Sequence, residues 1–216
     1  MSITEIIRFT TDMSGAVACA MSGSVVAIDH GRDLFGVVFV GCVTATGGGI
    51  MRDIFLGRLP PRVFTNYIYM SVALATSLIV FVVAYVMRES YKNTRERVDR
   101  INNFFDALGL GAFSAGGVEA AISSGYVENW ALCILLGMVT GVGGGMLRDI
   151  MTNETPYVLR KRIYAIASLA GSTVYYHLHI FHVGAAITTI SSIVIVVFIR
   201  MAATAFKWNM PRVPLK

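Results

Sequence analysis

Long apolar runs alternate along the chain with short polar breaks. Seven such runs occur, at residues 6–28, 34–56, 66–87, 104–122, 130–151, 163–180 and 183–206. Each is near the roughly 20 residues a helix needs to cross hydrocarbon, so the pattern predicts an all-α membrane protein with seven transmembrane helices. The breaks are too short to hold a soluble domain. The most polar of them, residues 88–100, carries five basic and three acidic residues and reads as a solvated, topology-fixing linker.

Composition agrees with the pattern. Only 14% of the residues are charged and 55% are hydrophobic, against roughly 25% charged in an average soluble domain. The net charge of +5 does not point to nucleic acid, because the basic residues fall in the breaks. They also fall unequally. With the N-terminus on one side, that side holds Arg8, Arg52, Arg58 and Arg62, and the other side holds the remaining fourteen Lys and Arg residues. By the positive-inside rule the basic side is cytoplasmic, which places the N-terminus outside and the C-terminus inside. Cys19, Cys42 and Cys133 lie within spans, where a thiol acts as a small apolar group. Glu5 and Asp12 spoil the n-region and core of a signal peptide, so the first run is expected to be retained.

The chain repeats itself. Residues 37–54 and 133–150 are identical at nine of eighteen positions, among them Gly41 with Gly137, Val43 with Val139 and Thr44 with Thr140. A weaker match pairs Asp12 with Asp106, Gly15 with Gly109 and Gly23 with Gly117. The expected organisation is a three-helix repeat over 1–87, a cytoplasmic linker over 88–103, a second repeat over 104–182, and a seventh helix with its tail over 183–216. Because three is odd, the second unit is expected to enter the membrane from the opposite side, the inverted 3+3 repeat of many transport proteins.

The strongest repeated signal is "TGGGIMRDI" at 46–54 against "VGGGMLRDI" at 142–150. A phosphate-binding loop is excluded, since no Lys-Ser/Thr follows the glycines and the flanks are apolar. Gly47, Gly48, Gly49 and Gly143, Gly144, Gly145 admit two readings: close helix packing, or a kink or unwound turn lining a pathway. Thr44, Gly48 and Arg52 stand at i, i+4 and i+8, as do Thr140, Gly144 and Arg148, which puts a polar stripe on one face of each helix. Arg52 with Asp53 and Arg148 with Asp149 read either as interfacial anchors or as charged constrictions at the two mouths of one pathway. Asp12, Asp106 and Glu119 are further intramembrane acids, readable as caps or as pathway residues. His177, His179 and His182 cluster at a short turn, but no carboxylate accompanies them, and no metal site is assigned. No cofactor is indicated. Nothing resembles a nucleophile–base pair or a zinc motif, so the reading is not an enzyme.

Two GGGxxRD helices within a duplicated three-helix unit, followed by a seventh helix, resemble the prokaryotic branch of the TRIC family, the trimeric intracellular cation channels, also described as glycine transporters. "DALGLGAF" at 106–113 and the tail "KWNMPRV" at 207–213 add to the resemblance, which covers nearly the whole chain. It implies a homotrimer in the cell inner membrane, each subunit holding its own potassium-permeable pore with the glycines at its middle. Sodium is a second permeant candidate, membrane lipids surround the protein, and no nucleic acid partner is implied. A carrier of glycine or another small solute on the same scaffold is the competing expectation.

Overall fold

In the computed structural model the described residues are 3–88, 94–160 and 163–208. Part of the expected linker (89–93), two basic residues (161–162) and the tail from 209 onward lie outside them. The described residues form α1 (Ile3–Asp29), α2 (Leu34–Phe55), the one-turn α3 (Arg62–Thr65), α4 (Tyr67–Val86), α5 (Arg95–Ser123), α6 (Trp130–Met151), the one-turn α7 (Tyr157–Arg160), α8 (Ile163–Ile180) and α9 (Ala185–Ala205). α5 starts at Arg95, so part of the segment expected as linker is helical.

Local chemistry sets the ends of the two glycine-rich helices. Asp33 caps α2, its carboxylate accepting from Gly36 N at 2.8 Å. Asn129 does the same for α6 through Leu132 N at 3.0 Å. Both helices then stop in the same way. Gly57 turns into the left-handed region at φ +68° and Asn153 at φ +61°. Arg58 N then bonds back to Asp53 O and Glu154 N to Asp149 O, each at 2.8 Å, closing two Schellman caps. Pro60, Pro61 and Pro156 follow, and none can continue a helix.

By length and composition five helices are apolar enough to cross a membrane: Glu5–Asp29 within α1, and α2, α4, α6 and α9. α5 and α8 do not reach that apolarity, and for α5 its position gives the reason. α5 packs against α1, α6, α8 and α9 at the centre of the bundle, and its buried face is built of Gly, Ala and Ser around Asp106. A helix enclosed by other helices needs little lipid-facing surface. α4 is the opposite case: only Ala73 and Ser77 are buried, and Tyr67, Ile79, Tyr85 and Val86 are each more than three-fifths exposed. Contiguous apolar surface of that kind marks a membrane or protein contact.

α1, α2 and α4 form one packed trio and α5, α6 and α8 another, joined by α1 on α5 and α2 on α6, with α9 laid over α5 and α8. Both repeats use the same small-residue contacts. A Cβ on Gly23 would lie 2.8 Å from Thr44 Cβ, and a Cβ on Gly117 would lie 2.8 Å from Thr140 Cβ. The three cysteines are free and buried.

Candidate functional site

The site begins where α2 crosses α6. A Cβ on Gly48 would fall onto the carbonyl oxygen of Thr140, and one on Gly144 onto that of Thr44. A Cβ on Gly47 would meet Leu147, and one on Gly143 would meet Met51. The crossing is thus built from equivalent residues of the two repeats. Both helices run through their glycines without an unwound turn, and the close-packing reading describes the contacts there. The cost of about 1 kcal/mol per glycine is met by the backbone approach that the missing side chains permit. Gly48→Ala or Gly144→Ala is therefore expected to lower stability by about 1–3 kcal/mol through overpacking. Gly49→Ala, whose Cβ would find only Arg52 Nη2 at 3.8 Å, is expected to be near neutral. Thermal unfolding of the three variants in detergent checks the contrast.

Thr44 and Thr140 are 1% and 0% exposed. Each hydroxyl donates to the carbonyl one turn back, on Val40 and Leu136, at 2.6 Å. In this conformation they are packing residues next to the crossing and line neither of the end cavities described below.

At each end of the crossing an Arg-Asp dyad is buried. Arg52 Nε donates to Asp53 Oδ1 at 2.9 Å, and Asp53 Oδ2 accepts from Arg62 N, the first residue of α3, at 2.9 Å. Arg148 Nε donates to Asp149 Oδ1 at 2.9 Å, and Asp149 Oδ2 accepts from Tyr157 N, the first residue of α7, at 2.7 Å. Each aspartate thus fastens a one-turn helix at its N-terminus and pairs with its neighbouring guanidinium. With Arg52 6% and Arg148 2% exposed, the anchor reading gives way: a snorkelling arginine keeps its head group in water.

The two ends then diverge. Arg148 Nη1 donates to Asp106 Oδ1 and to Ser22 Oγ, both at 2.7 Å. Asp106 Oδ2 accepts from Arg200 Nη2 at 3.2 Å, and the same Nη2 reaches Asn103 Oδ1 at 3.0 Å. Arg200 also lies over the Tyr164 ring, 4.7 Å from its centroid. This cluster closes the floor of a vestibule of about 510 Å³, whose walls include Asp99, Asn102, Asn103, Tyr157 and Thr204. At the Arg52 end Asp12, the counterpart of Asp106, accepts from Tyr69 Oη at 3.3 Å and faces a cavity of about 40 Å³ shared with Thr46, Gly49, Arg52, Asp53 and Arg62.

The sequence singles out Asp12, Asp106 and both dyads, which the structure gathers at the two ends of the crossing, but not Arg200, Ser22, Tyr69 and Tyr164. Arg200 was counted with the cytoplasmic charges, yet it is 2% exposed inside the bundle. The signal was present, an arginine within "IVIVVFIRMAATAF". Removing Arg52, Arg148 and Arg200 from the count leaves a bias of twelve against three. Glu119 bonds Ser123 Oγ at 2.8 Å and Tyr175 Oη at 3.0 Å, away from the crossing. His177 places Nδ1 2.8 Å from Thr173 O. Among the described residues no three His, Cys, Asp or Glu side chains converge as a metal site would require.

The profile of the family described as "Glycine transporter" matches residues 9–85 and 103–180. The UPF0126 inner membrane protein YadS of Escherichia coli K12 is 32% identical over 204 residues, covering 93% of each chain. A structure solved in work on conductance through TRIC cation channels superposes with a TM-score of 0.80 at 34% identity, over 96% of this chain and 97% of the other. The trimeric intracellular cation channel orthologue from Rhodobacter sphaeroides gives a TM-score of 0.82 at 28% identity, over 94% and 99%.

Proposed function

This chain belongs to the TRIC-like glycine transporter family, and from that premise we propose that it is a monovalent-cation channel, permeable to potassium, with its pathway inside each subunit along the α2–α6 crossing. The observation that carries the reading is one crossing with a buried Arg-Asp dyad at each end, one of them opening on a wide vestibule. Intramembrane ionisable groups that face the bundle interior mark ion pathways. The proposal includes seven spans, with the units 1–87 and 104–182 inverted about the crossing, joined by 88–103 and completed by 183–216. The protein is a multi-pass homotrimer of the cell inner membrane with its N-terminus outside. In this arrangement the Arg148 end faces the cytoplasm. Gly47 to Gly49 and Gly143 to Gly145 sit at the waist, and Thr44 and Thr140 line it once α2 and α6 part.

Reconstituted protein is expected to give unitary current steps in planar bilayers bathed in KCl, with a smaller conductance in NaCl. Saturable flux without current would overturn the channel and favour the second reading, a carrier of glycine or a similar small solute. That reading is supported by the family's description and by the opposite charges of Asp12 and Arg52 on the wall of one small cavity. Uptake of radiolabelled glycine into the same liposomes decides between them.

A further inference from the structure

The two ends of the crossing are assembled from matching parts. Arg52 and Arg148 each hold the neighbouring aspartate through Nε at 2.9 Å. Tyr69 and Tyr164, at the same distance past the starts of α3 and α7, place their hydroxyls 3.3 Å from the Asp12 carboxylate and 3.5 Å from that of Asp106. Within the repeats two things differ. Arg148 Nη1 goes on to Asp106 Oδ1 and Ser22 Oγ, both at 2.7 Å, whereas among the described residues Arg52 keeps Asp53 as its one ion-pair partner. And where the first end has Ser22, the other has Gly116, which follows Asp106 along α5 as Ser22 follows Asp12 along α1. A Cβ on Gly116 would lie 3.2 Å from Asp12 Oδ1, in the position from which the Ser22 hydroxyl meets Asp106 Oδ1 at 3.5 Å. What separates Arg52 from Asp12 is the cavity of about 40 Å³, whose walls they share with Asp53 and Arg62. These four side chains balance, two of each sign, so Arg52 can be shared between Asp53 and Asp12 without any change of buried charge.

We propose that Arg52 and Asp12 form the outer gate of the pathway, unlatched in this conformation, and that Gly116 keeps that gate weak by withholding the hydroxyl that Ser22 gives to Arg148. The inference rests on the channel reading and adds to it which end yields first. Closing the outer end requires the small cavity to collapse, so that an Arg52 Nη meets Asp12 as Arg148 Nη1 meets Asp106. Hydrogen bonds to ionised groups are about twice as strong as neutral ones, and the Arg148 latch has two of them on a single nitrogen. Arg200 adds a further bond to Asp106 at 3.2 Å. The outer pair has neither the serine nor a seventh-helix arginine beside it. The Arg148 latch is therefore the firm one, and the outer latch forms and breaks more readily.

The test reads access to the cavity. Thr46 lies on its wall, so Thr46→Cys, in full-length protein with Cys19, Cys42 and Cys133 replaced and reconstituted in oriented liposomes, reports closure through its rate of reaction with a membrane-impermeant thiol reagent applied to the outer face. Gly116→Ser is expected to slow that reaction about tenfold relative to Gly116→Ala, the factor that one hydrogen bond to a charged group contributes to an equilibrium. The alanine carries the Cβ without the hydroxyl and so isolates the bond from packing and helix propensity. Adding Arg52→Gln is expected to abolish the slowing, because the serine then has no guanidinium to hold. Asp12→Glu, which lengthens the carboxylate across the cavity that Arg52 also lines, is expected to slow the reaction with the same dependence on Arg52, and decides the matter if Gly116→Ser does not fold. Equal rates in Gly116→Ser and Gly116→Ala overturn the proposal, as does slowing that persists in Arg52→Gln. Bilayer currents judge the channel separately. Currents with no Arg52-dependent slowing leave the channel and remove the outer gate, whereas slowing in a protein that passes no current leaves the latch and removes the channel.

Discussion

Replacing Asp106 with asparagine is expected to cost about 3–5 kcal/mol of stability, the range for breaking a buried ion pair by removing one partner. The carboxylate takes Arg148 Nη1 at 2.7 Å on one oxygen and Arg200 Nη2 at 3.2 Å on the other. Asparagine keeps the shape but not the charge, so two guanidinium groups, each 2% exposed, would face a neutral amide, with Asp149 the sole carboxylate among the described residues still in contact with either. The repeat-related change Asp12→Asn is the internal control. It breaks no ion pair among the described residues, keeps an acceptor for Tyr69 Oη, and is expected to cost about 1 kcal/mol or less. Denaturant or thermal unfolding of the two variants side by side checks the asymmetry. Equal losses at positions 12 and 106 would show that the charge clusters at the two ends do not differ as their geometry indicates.

The second large effect is on gating. In the proposed pathway the Arg148–Asp106–Arg200 cluster lies between the vestibule and the waist, so this conformation is closed at the Arg148 end. Arg148→Gln removes two hydrogen bonds of 2.7 Å made by the cationic Nη1. Bonds to charged groups contribute about 1.5–3 kcal/mol each, so losing even one of them from the closed state raises open probability about tenfold or more. Arg52→Gln is expected to have a smaller effect, because Arg52 makes no comparable ion pair across helices among the described residues.

The sidedness of the two arginines is testable with cysteine. In a background with Cys19, Cys42 and Cys133 replaced, Arg148→Cys should react with a membrane-impermeant thiol reagent from the cytoplasmic side. Its rate should be high, because the vestibule of about 510 Å³ admits the reagent. Arg52→Cys should react from the outside and slowly, through the cavity of about 40 Å³. Modification of both positions from one side would sink the paired-mouth arrangement.

Much of this was legible in the chain. The run 130–151 coincides with α6, and 34–56 exceeds α2 by one residue, because apolar transfer free energy and capping act over neighbouring residues. The duplication, the dyads and the pairing of Asp12 with Asp106 could be read because identity between repeats survives in sequence. The one-turn helices α3 and α7 could not, being too short for any periodicity, and so the capping role of Asp53 and Asp149 stayed hidden. The small and polar residues of α5 likewise had no evident reason until its position at the centre of the bundle was known.

By itself, then, the sequence determined a membrane-embedded helical bundle, its repeat and the residue types at its polar heart. Only the tertiary structure decided what those residues do. The helices continue through their glycines, and at Gly48 and Gly144 the missing side chain lets a backbone carbonyl of the facing repeat come close. Arg200 leaves its apparent place among the surface charges to join Asp106, 94 positions away. Among the described residues Asp12 makes no such ion pair, since the seventh helix packs chiefly on α5 and α8 of the second repeat and touches the first repeat only lightly, at α1. Counter-charges in a bundle are chosen by proximity in three dimensions, and electrostatic attraction at 3 Å in a medium of low dielectric outweighs any preference that the neighbouring residues express.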